Sequence, residues 1–245
     1  MIKLIADYHT HTIYSHGKGT ILDNVMEARK KGLKEIAITD HGFRHFAFGV
    51  KQKNLHKMRE EIDNINEKYG DIKVLLGLEC NIISKDGKVD INDQAMKYLD
   101  ILALGYHMMV LPQSISDFLH IYGKNYISRF NRGMADKIIQ QNTDAMIRAI
   151  NNYKIDFITH PGARIPINTG QLAAEAAKVG TALEINSKSN IMSVEYIKAA
   201  ASSGVKFVIN SDAHNPKDVG NYRNAIGLAE EAGLTNEQIL NAAKY

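Results

Sequence analysis

The sequence has 245 residues, of which 44% are hydrophobic and 23% charged, values typical of a soluble globular protein. The net charge of +3 is too small to predict nucleic acid as the main partner, and no apolar run is long enough to suggest a membrane span. The single cysteine, Cys80, excludes an internal disulfide, and since no signal peptide is recognisable after Met1 the sequence predicts a cytoplasmic protein.

Short apolar runs typical of β-strands alternate along the chain with amphipathic helical patterns. The predicted strands are Ile2–Asp7, Glu35–Asp40, Ile72–Glu79, Leu99–His107, Ile155–His160, Thr181–Asn186 and Val205–Asp212. The predicted helices are Ile21–Lys31, Asn54–Tyr69, Asn168–Val179, Ser193–Ala201 and Asn224–Glu231. This alternation indicates parallel βα units and favours an α/β fold with a closed or nearly closed barrel. An open doubly wound sheet is the alternative, but no Gly-rich phosphate loop follows the first strand.

The stretch from Met108 to Ile150 is longer than one crossover connection needs. Helical patterns over Pro112–Tyr122 and Phe130–Ile150 predict a helical excursion at about residues 108–150. Beside the mouth of a barrel it is a candidate lid or subunit contact, which would make the protein a homo-oligomer, and a plain scaffold insertion is the alternative. The whole chain, residues 1–245, is predicted to form one domain.

Residue types that bind metals stand at the C-terminal ends of the predicted strands. They are His9 and His11, Asp40 and His41, Glu79, His107, His160, and Asp212 with His214, while Asn186 ends the sixth strand. In a parallel barrel this is the face on which catalytic groups gather, and random placement of ten histidines would not produce the pattern. A histidine-rich set with carboxylates and no thiolate suits Zn, Mn or Fe rather than Ca or Mg. The set is too large for one ion, so we expect two or three, bridged by Glu79.

Several short motifs carry these residues in a fixed order. They are Asp7-x-His9-x-His11, His16, Thr39-Asp40-His41-Gly42, Gly77-Leu78-Glu79, Gly105-Tyr106-His107, His160-Pro161-Gly162 and Ser211-Asp212-x-His214. Together they resemble the PHP superfamily (polymerase and histidinol phosphatase), and in particular its stand-alone bacterial phosphatases of the YcdX type, over nearly the whole chain. The resemblance implies the PHP fold, a distorted (β/α)7 TIM-like barrel, holding three divalent ions, with Zn expected first and Mn or Fe as alternatives.

The resemblance also implies which residues hold each ion. It assigns His9, His11, Glu79 and Asp212 to the first, Glu79, His107 and His160 to the second, and His16, His41 and His214 to the third. The activity that it implies is hydrolysis of a phosphate monoester by a hydroxide that bridges two metals, with a small phosphorylated metabolite as substrate. Histidinol phosphate is one candidate.

Further residues are assigned to the reaction alongside the ligands Asp212 and His214. Asp7 is expected to orient a histidine of the first strand, and Asp40 to do the same or to handle protons. Basic residues in loops after barrel strands are candidates for a phosphate clamp, and these are Arg164, which we expect first, Lys188, Arg44 and Arg223. His45 is a candidate for contact with substrate or an exposed loop residue, whereas His56 and His120 are expected on helix surfaces.

Three other functions remain open on the sequence. An amidohydrolase-type barrel also begins with His-x-His, but it has no need of a third cluster. A phosphodiesterase or exonuclease of the PHP type would act on nucleic acid, for which no basic stripe is visible. A non-catalytic metal-binding module is disfavoured because a structural zinc site is closed by four ligands.

Overall fold

A computed structural model describes residues 1–128, 130, 132–163, 165–188 and 192–244. In this part of the chain seven parallel strands form one sheet in sequential order. They are β1 (Ala6–Asp7), β2 (Glu35–His41), β3 (Lys73–Asn81), β4 (Ile101–Gly105), β5 (Phe157–Ile158), β6 (Ala182–Asn186) and β7 (Phe207–Asn210). Each strand pairs in parallel with the next along the chain, which confirms the predicted barrel of βα units.

Helices connect the strands and cover the outside of the sheet. They are α1 (Ile21–Lys30), α2 (Leu55–Lys68), α3 (Asp93–Met96), α4 (Ile115–Phe118), α5 (Asn125–Ser128), α6 (Arg132–Asn152), α7 (Thr169–Val179), α8 (Val194–Ala201) and α9 (Arg223–Glu231). The predicted ends of α1, α2, α7, α8 and α9 differ from these by no more than one residue. The starts agree because capping side chains fix them: Thr20, Asn168 and Ser193 each accept a backbone N–H of the following first turn.

The first and fifth strands are shorter than predicted, with two residues each. Residues before β1 pair instead with the C-terminal segment, since Leu4 bridges Ala242 in antiparallel fashion and Ile5 N donates to Asn241 O at 3.0 Å. After β5 the chain turns out of the sheet, and His160 has a φ of 28°, in the left-handed region that non-glycine residues rarely adopt. Apolar runs in the sequence predict both strands at greater length. Pairing with the C-terminal segment shortens β1, and the turn at His160 ends β5 early.

Two short segments close the gap between β1 and β7. At the N-terminal end of the barrel the buried Asn241 side chain donates to Ala6 O at 2.9 Å and to Ile209 O at 2.7 Å, and it accepts from Ile209 N at 3.0 Å. At the C-terminal end Thr10 bridges Ala213, and His11 N donates to Ala213 O at 2.8 Å. The barrel is therefore nearly closed, and the loop after β7 lies beside the loop after β1.

The excursion between β4 and β5 contains α4, a π-helical stretch (Leu119–Lys124), α5 and α6. The prediction of two helices there is thus partly right, because the first is broken into short pieces. Inside it Asn142 donates to Asn125 Oδ1 at 2.8 Å and to Pro166 O at 3.0 Å. His120 is buried, so its predicted place on a helix surface is wrong. No helix in the described residues has the length and apolar character to cross a membrane.

Candidate metal centre

The C-terminal ends of the strands open into a cavity of about 910 Å³. Its lining residues are His16, Lys18, His41, His45, Phe48, Glu79, His107, Met108, Met109, His160, Ala163, Lys188, Asp212 and His214. Potential ligand atoms gather in three adjoining groups: His11, His16, His41 and His214; His9, His11 and Asp212; and His41, Glu79 and His107. The structure therefore brings all nine predicted ligands together, with His160 joining through Glu79.

Glu79, at the inner face of β3, is the centre of the arrangement. Five imidazoles face its two carboxylate oxygens at distances of 2.7 to 3.9 Å, and these belong to His41, His160, His107, His9 and His11. Burial alone would raise the pKa of Glu79, but the histidines, His107 first, outweigh it and hold that pKa well below its usual range. Glu79 is therefore a carboxylate, and it can bridge neighbouring ions.

Several ligand atoms are buried without a hydrogen-bond partner among the described residues. His41 Nδ1 and Glu79 Oε2 lie 2.7 Å apart but are not aligned for a hydrogen bond, and His16 Nδ1 is also unpartnered. Leaving such atoms unsatisfied costs about 1–3 kcal/mol each, more for a charged group. An ion bound by both His41 Nδ1 and Glu79 Oε2 would satisfy these two atoms. With nitrogen and carboxylate donors, these residues fit Zn, Mn or Fe.

The loops after β1 and β7 bring the second carboxylate to the site. Asp212 Oδ1 lies 3.4 Å from His11 Nε2 and 3.7 Å from His9 Nε2, and the two Nε2 atoms are 3.1 Å apart. Asp212 has a φ of 52°, a strained conformation that aims its carboxylate at these imidazoles. Burial would raise the pKa of Asp212, yet the neighbouring histidines, His9 first, lower it.

Glu184, in the middle of β6, contacts two predicted ligands, and the sequence analysis missed it. Its fully buried carboxylate lies 2.7 Å from His9 Nδ1 and accepts from His160 N at 2.7 Å. Asn210 and Asn186 donate to the same carboxylate at 2.9 and 3.0 Å. Because Glu184 holds Nδ1, the Nε2 atom of His9 faces the other ligands. The available signal was a glutamate inside an apolar strand, on the same face as Asn186.

His107 is oriented in a similar way by residues that the sequence analysis also missed. Asn81 Nδ2 donates to Asp90 Oδ2 at 2.6 Å, which leaves Asn81 Oδ1 to face His107 Nδ1 at 2.7 Å. An amide oxygen only accepts, so we assign the proton of His107 to Nδ1. Its Nε2 lone pair is then free for a metal, 3.3 Å from His160 Nε2.

Asp7 does not orient an imidazole, so that prediction is wrong. Its buried carboxylate accepts from Ser211 Oγ at 2.5 Å, Ser211 N at 3.1 Å and Gly220 N at 2.9 Å, and it reaches His9 only at the backbone N, 3.5 Å away. Asp7 points away from the imidazoles because these donors lie in the loops after β7. It therefore positions the segment that carries Asp212 rather than a histidine of its own strand.

Asp40 mainly holds the turn that leads to His16. Its carboxylate accepts from Thr12 N at 2.7 Å, Thr12 Oγ1 at 2.5 Å and Ser15 Oγ at 2.6 Å, whereas His11 Nδ1 is 4.0 Å away. Burial raises the pKa of Asp40 to about 6 despite these hydrogen bonds. Any contact with His11 is secondary to the turn, and a role in proton handling stays a prediction.

The basic residues predicted to form a phosphate clamp differ in their position relative to the cavity. Lys188 lines the cavity, with Nζ 2.7 Å from His214 Nδ1. Arg44 is wrong as a candidate, because its guanidinium donates to Leu111 O at 2.8 Å and Pro112 O at 2.9 Å and it does not line the cavity. Arg223 is the exposed first residue of α9 and does not line it either. Arg164 lies outside the described residues.

His45 lies in the wall of the cavity and is buried, not an exposed loop residue. Its ring stacks on His41 with centroids 4.6 Å apart, and its Nδ1 accepts from Phe48 N at 3.2 Å. His45 therefore backs a predicted ligand and borders the space that a substrate would occupy.

Comparison with known proteins places this centre in a family. The family model for the PHP domain matches residues 7–188, and that for a PHP-associated region matches residues 195–244. A protein of Thermoanaerobacter sp. named as a probable phosphatase is 33% identical over 256 aligned positions, which cover 98% of this chain and 91% of that protein. A probable phosphatase of Shewanella sediminis is 33% identical over 258 positions, covering 98% and 90%.

The histidinol phosphate phosphatase of Lactococcus lactis, whose crystal structure is a complex with zinc, L-histidinol and phosphate, is similar over 100% of both chains. The TM-score is 0.64 and the sequence identity 16%, so this likeness supports the fold alone. The two matched regions also meet in one sheet here, since β7 comes from the second and pairs with β6 of the first. The chain belongs to the PHP domain family.

Proposed function

We propose that this chain is a metal-dependent phosphatase that hydrolyses a small phosphate monoester at a centre of three divalent ions. The observation that carries the proposal is the convergence of nine potential ligands, seven of which line one open cavity. A structural metal site would be closed by its ligands, whereas this one has space beside it for a substrate. Membership of the PHP family and the naming of similar proteins as probable phosphatases support the same activity.

We assign ligands to the ions as the family resemblance implies. One of the three sets lies within a group seen in the structure, one adds Glu79 to such a group, and in the other His160, 3.0 Å from Glu79, takes the place of His41. His9, His11 and Asp212 with Glu79 would hold the first, Glu79, His107 and His160 the second, and His16, His41 and His214 the third. When bound, divalent ions at such a site supply a hydroxide nucleophile at neutral pH and neutralise the charge on phosphate oxygens. We propose Zn first, with Mn or Fe as alternatives, because the donors are imidazoles and carboxylates.

In the reaction a bond forms between a water oxygen and phosphorus, the bond from phosphorus to the alcohol oxygen breaks, and the alcohol leaves with a proton. The protein holds the phosphate and aligns it for this attack. Lys188, beside His214 and facing the cavity, would bind a phosphate oxygen on the side of the third group. Glu184, Asn81 and Asp7 fix the directions of the groups around it through the contacts described above.

Phosphate release tests the proposal. Protein loaded with Zn or Mn should release phosphate from p-nitrophenyl phosphate and from a panel of phosphorylated metabolites that includes histidinol phosphate. Bis(p-nitrophenyl) phosphate should be a much poorer substrate, and metal analysis should find close to three ions per chain. His107→Ala should lose at least tenfold in activity, consistent with loss of a metal ligand, while His56→Ala, at an exposed helix position, should keep it.

The same assay separates the alternatives. Cleavage of the diester in preference to every monoester would support a phosphodiesterase. Hydrolysis of amides with no release of phosphate would support an amidohydrolase. Either result, or activity on monoesters that His107→Ala leaves unchanged, would contradict the proposed function.

A further inference from the structure

The described charged side chains that line the cavity outside the candidate metal centre are all positive. Among the described lining residues the only carboxylates are Glu79 and Asp212, and both face the histidine cluster. The cations in the same wall are Lys18 and Lys188. Outside the metal centre, the described wall therefore offers positive charge and no carboxylate. An ammonium group on the leaving side of a substrate would find no carboxylate among these described wall residues.

The two lysines differ in their surroundings. Lys188 Nζ lies 2.7 Å from His214 Nδ1, which places this ammonium beside the metal-ligand cluster. Lys18 has an exposed side chain, and its Nζ makes no hydrogen bond or ion pair with any described residue. A lysine that lines a cavity without a protein partner is available to a ligand.

The backbone of Lys18 is nevertheless held firmly. Lys18 N donates to His214 O at 2.8 Å, and the preceding Gly17 N donates to Thr12 O at 2.8 Å. A Cβ at residue 17 would lie 2.3 Å from His11 O, so only glycine allows the turn to pack this closely. The Lys18 side chain thus projects from a turn within the loop after β1, and this turn is fixed against the loop after β7. Both loops carry proposed metal ligands.

The cavity has room for more than a phosphate group. Its volume of about 910 Å³ is in the range of sites for small organic molecules. Phe48, Met108 and Met109 form an apolar part of the wall. The body of a leaving group therefore has apolar side chains to rest against in the same cavity that Lys18 lines.

We propose that the substrate carries a second anionic group, a phosphate or a carboxylate on the leaving alcohol, and that Lys18 binds it. This inference rests on the proposed function and adds to it the chemical class of the substrate. Lys188 binds the phosphate that is cleaved, and Lys18 binds the other anion. Phosphate esters of amino alcohols, histidinol phosphate among them, are poorer substrates because their ammonium group meets Lys18.

The test compares matched pairs of substrates in the metal-loaded protein. The first pair is fructose 1,6-bisphosphate with fructose 6-phosphate, and the second is 3-phosphoglycerate with glycerol 3-phosphate, so that a second phosphate and a carboxylate are examined separately. Phosphoethanolamine represents leaving groups with an ammonium. We expect a higher kcat/KM for the member with a second anionic group in at least one pair, and the lowest for phosphoethanolamine.

Lys18→Met should remove this preference. Loss of an ionic hydrogen bond predicts a fall of about 10- to 100-fold in kcat/KM for the preferred substrate with two anionic groups, mainly through KM. The fall should be at least tenfold larger than for the counterpart that has a single phosphate. Lys18→Arg should restore most of the preference. Lys53→Met, at an exposed position distant in sequence and outside the cavity wall, is the matched control and should leave it intact.

Equal losses on both members of each pair would place Lys18 at the scissile phosphate and overturn the inference, as would an unchanged preference or a preference for phosphoethanolamine. The turnover of p-nitrophenyl phosphate by the unaltered protein is measured alongside. Its hydrolysis without any preference between pair members overturns the inference alone. Failure to hydrolyse any monoester overturns the proposed function.

Discussion

Glu184 shows how much of the site depends on a single side chain. Its carboxylate contacts the His9 ring and accepts hydrogen bonds from the His160 backbone and from the side-chain amides of two neighbouring asparagines, all in the barrel interior. Burial would raise the pKa of Glu184, but its contact with His9 outweighs burial and lowers it. The carboxylate thus stays charged and fixes the direction in which His9 presents Nε2.

We predict that Glu184→Gln weakens metal binding about 10- to 100-fold, with a similar loss of phosphatase activity, because changes at such supporting residues usually have this effect. The amide has one acceptor in place of two and brings a donor toward the His160 N–H. Chelator competition measures the affinity, and thermal denaturation checks the fold. Glu60→Gln, which alters an exposed glutamate on α2, should change neither property. Wild-type metal affinity in Glu184→Gln would contradict the role assigned to this residue.

At the scale of an element, the end of β4 is shaped by a glycine. The His107 ring folds back over Gly105, so that a Cβ at residue 105 would lie 2.3 Å from His107 Cε1. That fold lets His107 Nδ1 reach Asn81 while Nε2 approaches Glu79. The strand therefore positions its ligand through the absence of a side chain two residues earlier.

Gly105→Ala should displace the His107 ring and lower kcat at least tenfold, because a ligand that is misplaced by a fraction of an ångström no longer completes its group. Steady-state kinetics and metal content measure the effect. Gly227→Ala is the matched control, since a Cβ there has nothing within 4 Å and the residue lies inside α9. It should keep full activity and gain up to about 1 kcal/mol in the free energy of unfolding. Equal activity in the two variants would refute the steric argument.

The elements also show which features the sequence could predict. Helix ends were predictable because local capping side chains fix them. The clustering of the proposed metal ligands was predictable because these residues follow apolar strands. Glu184 and Asn81 lie within strands and were missed, since their roles depend on partners in distant strands. Asp7 was assigned to an imidazole because residues 7 and 9 alternate on one strand, whereas its actual partners belong to the loop after β7. Sequence spacing places a residue on a face but does not identify its contacts.

At the scale of the whole molecule, the contacts that close the barrel also bring the residues of the site together. The Asn241 side chain joins β1 to β7 at one end, and the bridge between Thr10 and Ala213 joins the loops after them at the other. Without that closure Asp212 and His214 would not lie beside the histidines of the first loop. The residues that hold the sheet closed therefore also hold together the two halves of the proposed metal centre.

Because the proposed ligands lie in or just after six of the seven strands, bound ions should stabilise the barrel as a whole. An ion that binds only the folded chain adds about 2.7 kcal/mol per site at a free concentration 100 times its Kd. We predict that saturating Zn raises the Tm of the metal-free protein and that EDTA reverses the rise, as measured by calorimetry. His107→Ala should show a clearly smaller rise, whereas His56→Ala, which alters an exposed helix residue, should match the unaltered protein. A rise of the same size in both variants would mean that the stabilising ions bind elsewhere.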